Sequence, residues 1–154
     1  MTWMPTFLDE LTDEFDYRVS YTGIDIVEDL IKLNNDRFVH TSGNNTAYAF
    51  ECFDLTRVAP PRGDIIFCKD LINHLVFDDI WRLLNRFNES RSTHLVISSN
   101  RGYTNFDHGK MVGNASRHVD LEAPPFSLKP TIWGDGYLAL WKLPLQLRKT
   151  AAKE

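Results

Sequence analysis

Apolar residues open the chain at Phe7, Leu8, Leu11 and Phe15, one stripe on a short acidic helix whose first turn Pro5 suits. Arg18 to Ile24, RVSYTGI, has the β-branched and aromatic content of a strand. The apolar positions then change to helical spacing at Ile26, Val27, Leu30, Ile31 and Leu33. A polar turn, TSGNNT from Thr41 to Thr46, leads into a second strand, AYAFECF from Ala47 to Phe53, closed by Asp54 and then Pro60 and Pro61. Asp64 to Lys69, DIIFCK, is an unbroken apolar run with charged ends, which predicts a strand covered on both faces and central in its sheet. Asp78 and Asp79 suit a helix N-terminus, and Ile80, Leu83, Leu84 and Phe87 carry the buried stripe until Asn88 and Ser90 interrupt it. Thr93 to Ser99, THLVISS, predicts a fourth strand. The order αβαββαβ implies a mainly parallel sheet with helices on both faces.

From Asn100 to about Lys129 the pattern is aperiodic. It resumes with TIW, the bend Gly134-Asp135-Gly136 and YLALWKL from Tyr137 to Leu143, a hairpin that adds antiparallel strands to the sheet. A different dinucleotide-binding fold, such as a dehydrogenase fragment, would instead continue a parallel sheet here.

Composition narrows the class. With 154 residues, 43% apolar and 25% charged, the chain is of ordinary globular type with one domain over 1–145, and the stretch 146–154 reads as a flexible tail. The formal charge of −4 provides no basic field for a polyphosphate backbone, so nothing points to nucleic acid. Cys52 and Cys68 form no CxxC pair, and neither a disulfide framework nor a metal site is expected. No apolar run is long enough to span a bilayer and the acidic start is unlike a targeting peptide, so the expectation is a cytoplasmic or nuclear protein that does not engage a membrane.

The segments YTGIDIVEDLIKLNNDRF, FDLTRVAPPRGDIIFCKDLINHLVFDDIWRLLNRF, HLVISSNRG, LEAPPFSL and YLALWKL, in this order and spacing, together resemble the class I methyltransferases that use S-adenosylmethionine. The resemblance implies an α/β, Rossmann-like sheet, mostly parallel with a C-terminal antiparallel hairpin, and a cofactor lying across the carboxyl ends of the parallel strands. It also implies a first strand ending in D/E-x-G-x-G ahead of the helix near Met4. The 154 residues contain no such motif, so the expected domain is N-terminally truncated, with its first central strand missing. A partner segment that fills the missing strand is therefore expected.

By the same resemblance, Asp25 and the adjoining Ile26 hold the ribose of the cofactor, Asp54 and Leu55 its adenine, and Lys69 and Asp70 border its methionine end and the methyl acceptor. Each has a structural alternative. Asp25 can cap the following helix with Glu28, Asp54 can bond its own turn, and Asp70 can cap the stretch LINHL. His74, four residues after Asp70, would share its face if LINHL were helical. Asn100, Arg101, Asn105 and Asp107 mark the region of an acceptor pocket. Trp81, Trp133 and Trp141 read as core-edge packing rather than an aromatic cage.

A sulfonium methyl transfer depends on holding donor carbon and acceptor in line. Losing two or three backbone bonds of a glycine cradle, at about 1 to 1.5 kcal/mol each, weakens cofactor binding roughly 30- to 1,000-fold. Two functions follow. One is S-adenosylmethionine-dependent methyl transfer to an unknown acceptor if upstream sequence completes the domain. The other is an inactive short form acting as an interaction module or remnant, with weak or no cofactor binding.

Overall fold

The computed structural model describes residues 3–15, 17–38, 45–107, 116–129 and 131–147. The chain divides into two compact units, Met1–Asp54 and Leu55–Glu154.

The first unit runs α1 (Trp3–Phe15), β1 (Val19–Asp25), α2 (Glu28–Phe38), β2 (Thr46–Cys52). β1 and β2 pair in parallel, from Val19 opposite Thr46 to Asp25 opposite Cys52. Parallel pairing requires a crossover, and α2 provides it. Four rings, Tyr21, Tyr48, Phe38 and Phe50, meet edge-on or tilted with centroids 5.9 to 6.1 Å apart. Tyr48 donates to Asp9 Oδ1 at 2.6 Å, and Thr12 Oγ1 lies 3.2 Å from Thr46 Oγ1, so polar bonds tie α1 to β2. Burial, reinforced by the Asp9 carboxylate, pushes the Tyr48 phenol well up.

The helical stripe expected from Ile26 is corrected here. Ile26 and Val27 precede α2 and are 70% and 52% exposed, and Leu33 is also exposed. Val27 N donates to Asp25 Oδ1 at 3.0 Å, which bends the chain before the helix begins, and the inward face of α2 is Ile31, Asn34 and Phe38.

The second unit contains β3 (Ile65–Cys68), a single 3-10 turn (Ile72–His74), α3 (Phe77–Glu89), β4 (His94–Ser98), β5 (Trp133–Gly134) and β6 (Leu138–Lys142). Its sheet has the order β3-β4-β6-β5, with β3 and β4 parallel and β6 antiparallel to both β4 and β5. The hairpin is therefore present, and its reversed strand excludes the continuing parallel sheet of the dehydrogenase reading. Gly136 takes φ +91°, while Asp135 Oδ1 accepts from Tyr137 N at 2.8 Å and Leu138 N at 2.7 Å. That bend needs a residue without a Cβ penalty and a short carboxylate beside it.

The predicted inward face of α3 packs as expected: Ile80, Leu83, Leu84 and Phe87 are fully buried against Leu95, Ile97, Val119, Leu121 and Phe126. The central, doubly covered position expected for DIIFCK is not realised. Among the described residues β3 pairs with β4 alone, at the end of its ladder, and Ile65 is 62% exposed, while Cys68 faces the core. An unbroken apolar run shows that both faces of a strand can be buried; which ones are buried depends on the neighbours that pack there. The strands read from sequence thus divide between a two-stranded and a four-stranded ladder.

The aperiodic third of the chain is also packed. Val119, Leu121 and Phe126 are core residues, and Phe126 meets Phe77 and Trp81 at ring distances of 5.1 Å. Trp81, Trp133 and Trp141 have separate environments. Trp81 flanks the core, Trp141 is buried and donates to Lys129 O at 2.8 Å, and Trp133 is exposed. Asn88 clamps Leu145 through both its amide atoms, and Leu147 packs on the core, whereas 148–154 lie outside the described residues. Among the described residues no helix is long and apolar enough to cross a membrane.

Candidate functional site

A polar cluster in the second unit forms where β3 and β4 end. Asp70 lies two residues past β3 with φ +58°, a left-handed conformation that Asp adopts more readily than most residues. Ser98, the last residue of β4, fixes it there by accepting Asp70 N at 2.9 Å. The Asp70 carboxylate then collects donors. Lys69 Nζ reaches Oδ2 at 2.7 Å, while Oδ1 accepts from Asn73 Nδ2 at 3.4 Å, from Ser98 Oγ at 3.5 Å and from the Tyr137 phenol. The Lys69 ammonium also lies 5.6 Å from the Tyr137 ring centroid, within cation–π range.

Register explains why Tyr137 is there. β6 runs antiparallel to β4 with Leu138 opposite Ser98, so the residue before β6 arrives at the carboxyl end of β4. Ser99 N donates to Tyr137 O at 2.7 Å and secures it. Tyr137 and Ser98 were not among the sequence candidates. The hairpin signal was visible, but only the pairing of β6 with β4 aligns its first residue with Asp70.

Electrostatics define the chemistry open to this cluster. The Lys69 bond, then the Tyr137 bond, holds the Asp70 carboxyl below its ordinary range, and the Asp70 bond holds the Lys69 ammonium above its own. Asp70 is an anion that accepts hydrogen bonds rather than a base poised near neutrality. His74 does not join it. The 3-10 turn exposes His74 and turns Asn73 towards Asp70 instead. Cys68, beneath the cluster, is a buried thiol pushed up to about 12 by desolvation, with the Asp70 charge adding to the effect.

The remaining predicted positions fall as follows. Asp25 ends β1, Oδ1 accepts Val27 N, and Phe53 N donates to Asp25 O at 3.1 Å. Ile26 follows as an exposed apolar side chain. The alternative expected for Asp25, a helix cap completed by Glu28, takes another form: its Oδ1 accepts from Val27, the residue before α2, while the Glu28 carboxylate pairs with Lys32. Asp54 ends the first unit, and Leu55 begins the second, where it packs on the core. Beyond β4, Arg101 forms a two-pronged pair with Glu122 at 2.9 and 3.0 Å. Burial works to raise Glu122, but this pair and Thr131 N outweigh it and keep the carboxyl low. Asn105 accepts Asp120 N at 2.9 Å and donates to Asp120 O at 2.6 Å, and Asn100 Oδ1 accepts Val119 N at 3.3 Å. Asp107 Oδ1 accepts Phe77 N at the start of α3. These four loop residues brace the described parts of the chain beyond β4, Asp107 through the start of α3. Among the described residues no group of three His, Cys, Asp or Glu is placed to hold a metal ion.

No family model and no curated protein sequence matches the chain. Solved structures do. Magnesium protoporphyrin IX methyltransferase (ChlM) from Synechocystis PCC 6803, solved with bound SAH, matches with a TM-score of 0.51 and 14% identity over 79% of this chain. The fold is class I methyltransferase-like. The pyocyanin biosynthetic protein PhzM matches with a TM-score of 0.55 and 13% identity over 86% of this chain. The methyltransferase-like chain spans 61% of the length of the first protein and 53% of the second.

Proposed function

We propose that this methyltransferase-like chain binds S-adenosylmethionine through the strand-end residues of its fold, and serves methyl transfer to an acceptor still to be identified. Asp25 carries the reading. It ends a parallel strand, one carboxylate oxygen is committed to Val27 N, and no described residue bonds the other, which is available to ribose hydroxyls beside the exposed Ile26. Asp54, two residues past the adjoining strand β2, takes the adenine amine.

The 154 residues contain no D/E-x-G-x-G turn, and weak binding is expected of these residues by themselves. Calorimetric titration of the full chain is expected to give a Kd for S-adenosylmethionine weaker than about 10 μM, and Asp25→Ala is expected to weaken it at least tenfold further. No heat at millimolar ligand, or binding unchanged by Asp25→Ala, overturns the assignment.

One observation favours a second reading, a non-enzymatic interaction module. The Asp70 carboxylate is occupied by the protein's own Lys69, Asn73, Ser98 and Tyr137 rather than turned to an acceptor. On this reading an additional apolar strand pairs with β3, whose ladder partner is β4 alone. Hydrogen exchange of the β3 amides, slowed by that strand and unaffected by cofactor, would distinguish it.

A further inference from the structure

Arg117 is 6% exposed, yet its neighbours in sequence, Ser116 and His118, are exposed, so a guanidinium points inward from a segment at the surface. Its surroundings are poor in counter-charge. Nη2 donates to Leu75 O at 2.6 Å, the guanidinium lies 5.2 Å from the Phe77 ring centroid, and Nε has no hydrogen-bond partner among the described residues. The nearby carboxylate, Asp107, forms no ion pair with it and accepts Phe77 N at 3.3 Å. A buried cation ordinarily carries an anion with it, because desolvation without a counter-charge is costly.

A second orphan adjoins the first. Arg117 N donates to Asn73 O at 3.0 Å, and Asn73 Oδ1 is a buried acceptor with no donor. The other end of that amide, Nδ2, is fixed on Asp70 Oδ1, which settles the orientation of the group and leaves Oδ1 facing away from the cluster. An unmet cationic donor and an unmet acceptor, on residues joined by a backbone bond, ask for a ligand that both accepts and donates.

We infer that Arg117 and Asn73 form a binding site for a small monocarboxylate that bears a hydroxyl or amino donor beside its carboxylate. The carboxylate takes Arg117 Nε and the donor takes Asn73 Oδ1. A dianion such as phosphate fits less well, since a single guanidinium, with Asp107 as the carboxylate in its field, matches one negative charge. The site lies wholly in the second unit and does not rest on the cofactor reading. If that reading holds as well, the carboxylate is the anchor of the methyl acceptor.

The Arg117 Nε–H correlation in a proton–nitrogen spectrum of the full chain tests the site directly. Glycolate and glycine, the hydroxy and amino probes, are expected to shift it saturably with half-effects between about 0.1 and 10 mM. Acetate, which lacks the donor, is expected to bind at least fivefold more weakly, and glycolamide and chloride to leave the signal in place. Asn73→Ala, which keeps the cation, should erase the preference for glycolate over acetate. Arg117→Lys serves as the loss-of-site variant provided its spectrum shows a folded chain. If no probe shifts the signal at 50 mM while it shows a cross-peak to a long-lived internal water, the orphans are hydrated and the proposal falls. An equal response to chloride also overturns it, as does one unchanged in Asn73→Ala.

Discussion

Asn88 and Asn85 lie one turn apart on α3 and offer a controlled comparison. Asn88 Nδ2 donates to Leu145 O at 3.0 Å and its Oδ1 accepts Leu145 N at 2.6 Å, across 57 residues of sequence, and Leu145 is buried. Asn85 makes one exposed bond, from Nδ2 to Trp81 O at 2.8 Å. Asn88→Ala removes two bonds worth about 1 kcal/mol each and leaves a buried N–H and C=O without partners, for a total cost of about 2 to 4 kcal/mol. Asn85→Ala should cost less than about 0.5 kcal/mol. With a urea dependence near 2 kcal/mol per molar, the first substitution lowers the unfolding midpoint by about 1 to 2 M, and the second by at most about 0.3 M. The fluorescence of buried Trp141, next to the clamped segment, reports the transition in the second unit. Asn88→Asp is expected to be no better than Ala, since it keeps an acceptor for Leu145 N but sets a carboxylate oxygen against Leu145 O. If the Asn88→Ala midpoint matched that of Asn85→Ala, the two-sided clamp would not hold the C-terminal segment, and the reasoning would fail.

Other expectations are shorter to state. Because the folded carboxyl of Asp70 is depressed, its contribution to stability is full above the ordinary carboxylate range and is lost as pH falls through the folded value. Asp70→Asn should flatten the acid limb of the stability profile, and an unchanged limb would contradict the pairing with Lys69 and Tyr137. Cys52 is exposed and Cys68 is buried with its thiol pushed up to about 12, so a maleimide at pH 7.5 should label one site in the native chain and two after denaturation; mass spectrometry locates them. Tyr48→Phe removes the bond to Asp9 and should accelerate hydrogen exchange in α1 by a factor of about 3 to 10, leaving α3 unaffected. Phe87→Ala opens a void in a fully buried position and should cost about 3 to 5 kcal/mol, comparable to the whole stability of a small unit; circular dichroism melting checks it.

Much of this architecture was readable in the order of residues alone. The buried stripe of α3 follows from apolar spacing at 3.6 residues per turn, and the bend at Gly134-Asp135-Gly136 from a positive φ and a short carboxylate, both local causes. The succession of strands and helices, and with it the methyltransferase-like fold, rests on the same local periodicities. Non-local pairing decided the rest. The apolar run of β3 could not disclose that it would stand at the end of a ladder with Ile65 in solvent, because burial belongs to neighbours and not to the strand. Nor could the aperiodic stretch before Lys129 reveal Val119, Leu121 and Phe126 as core or Arg117 as a buried cation, since irregular backbone carries no period to read. Asp70 was identifiable as a strand-end carboxylate, but its partners Ser98 and Tyr137 are 28 and 67 residues away; the parallel register of β4 on β3 brings the first to it, and the antiparallel register of β6 on β4 the second.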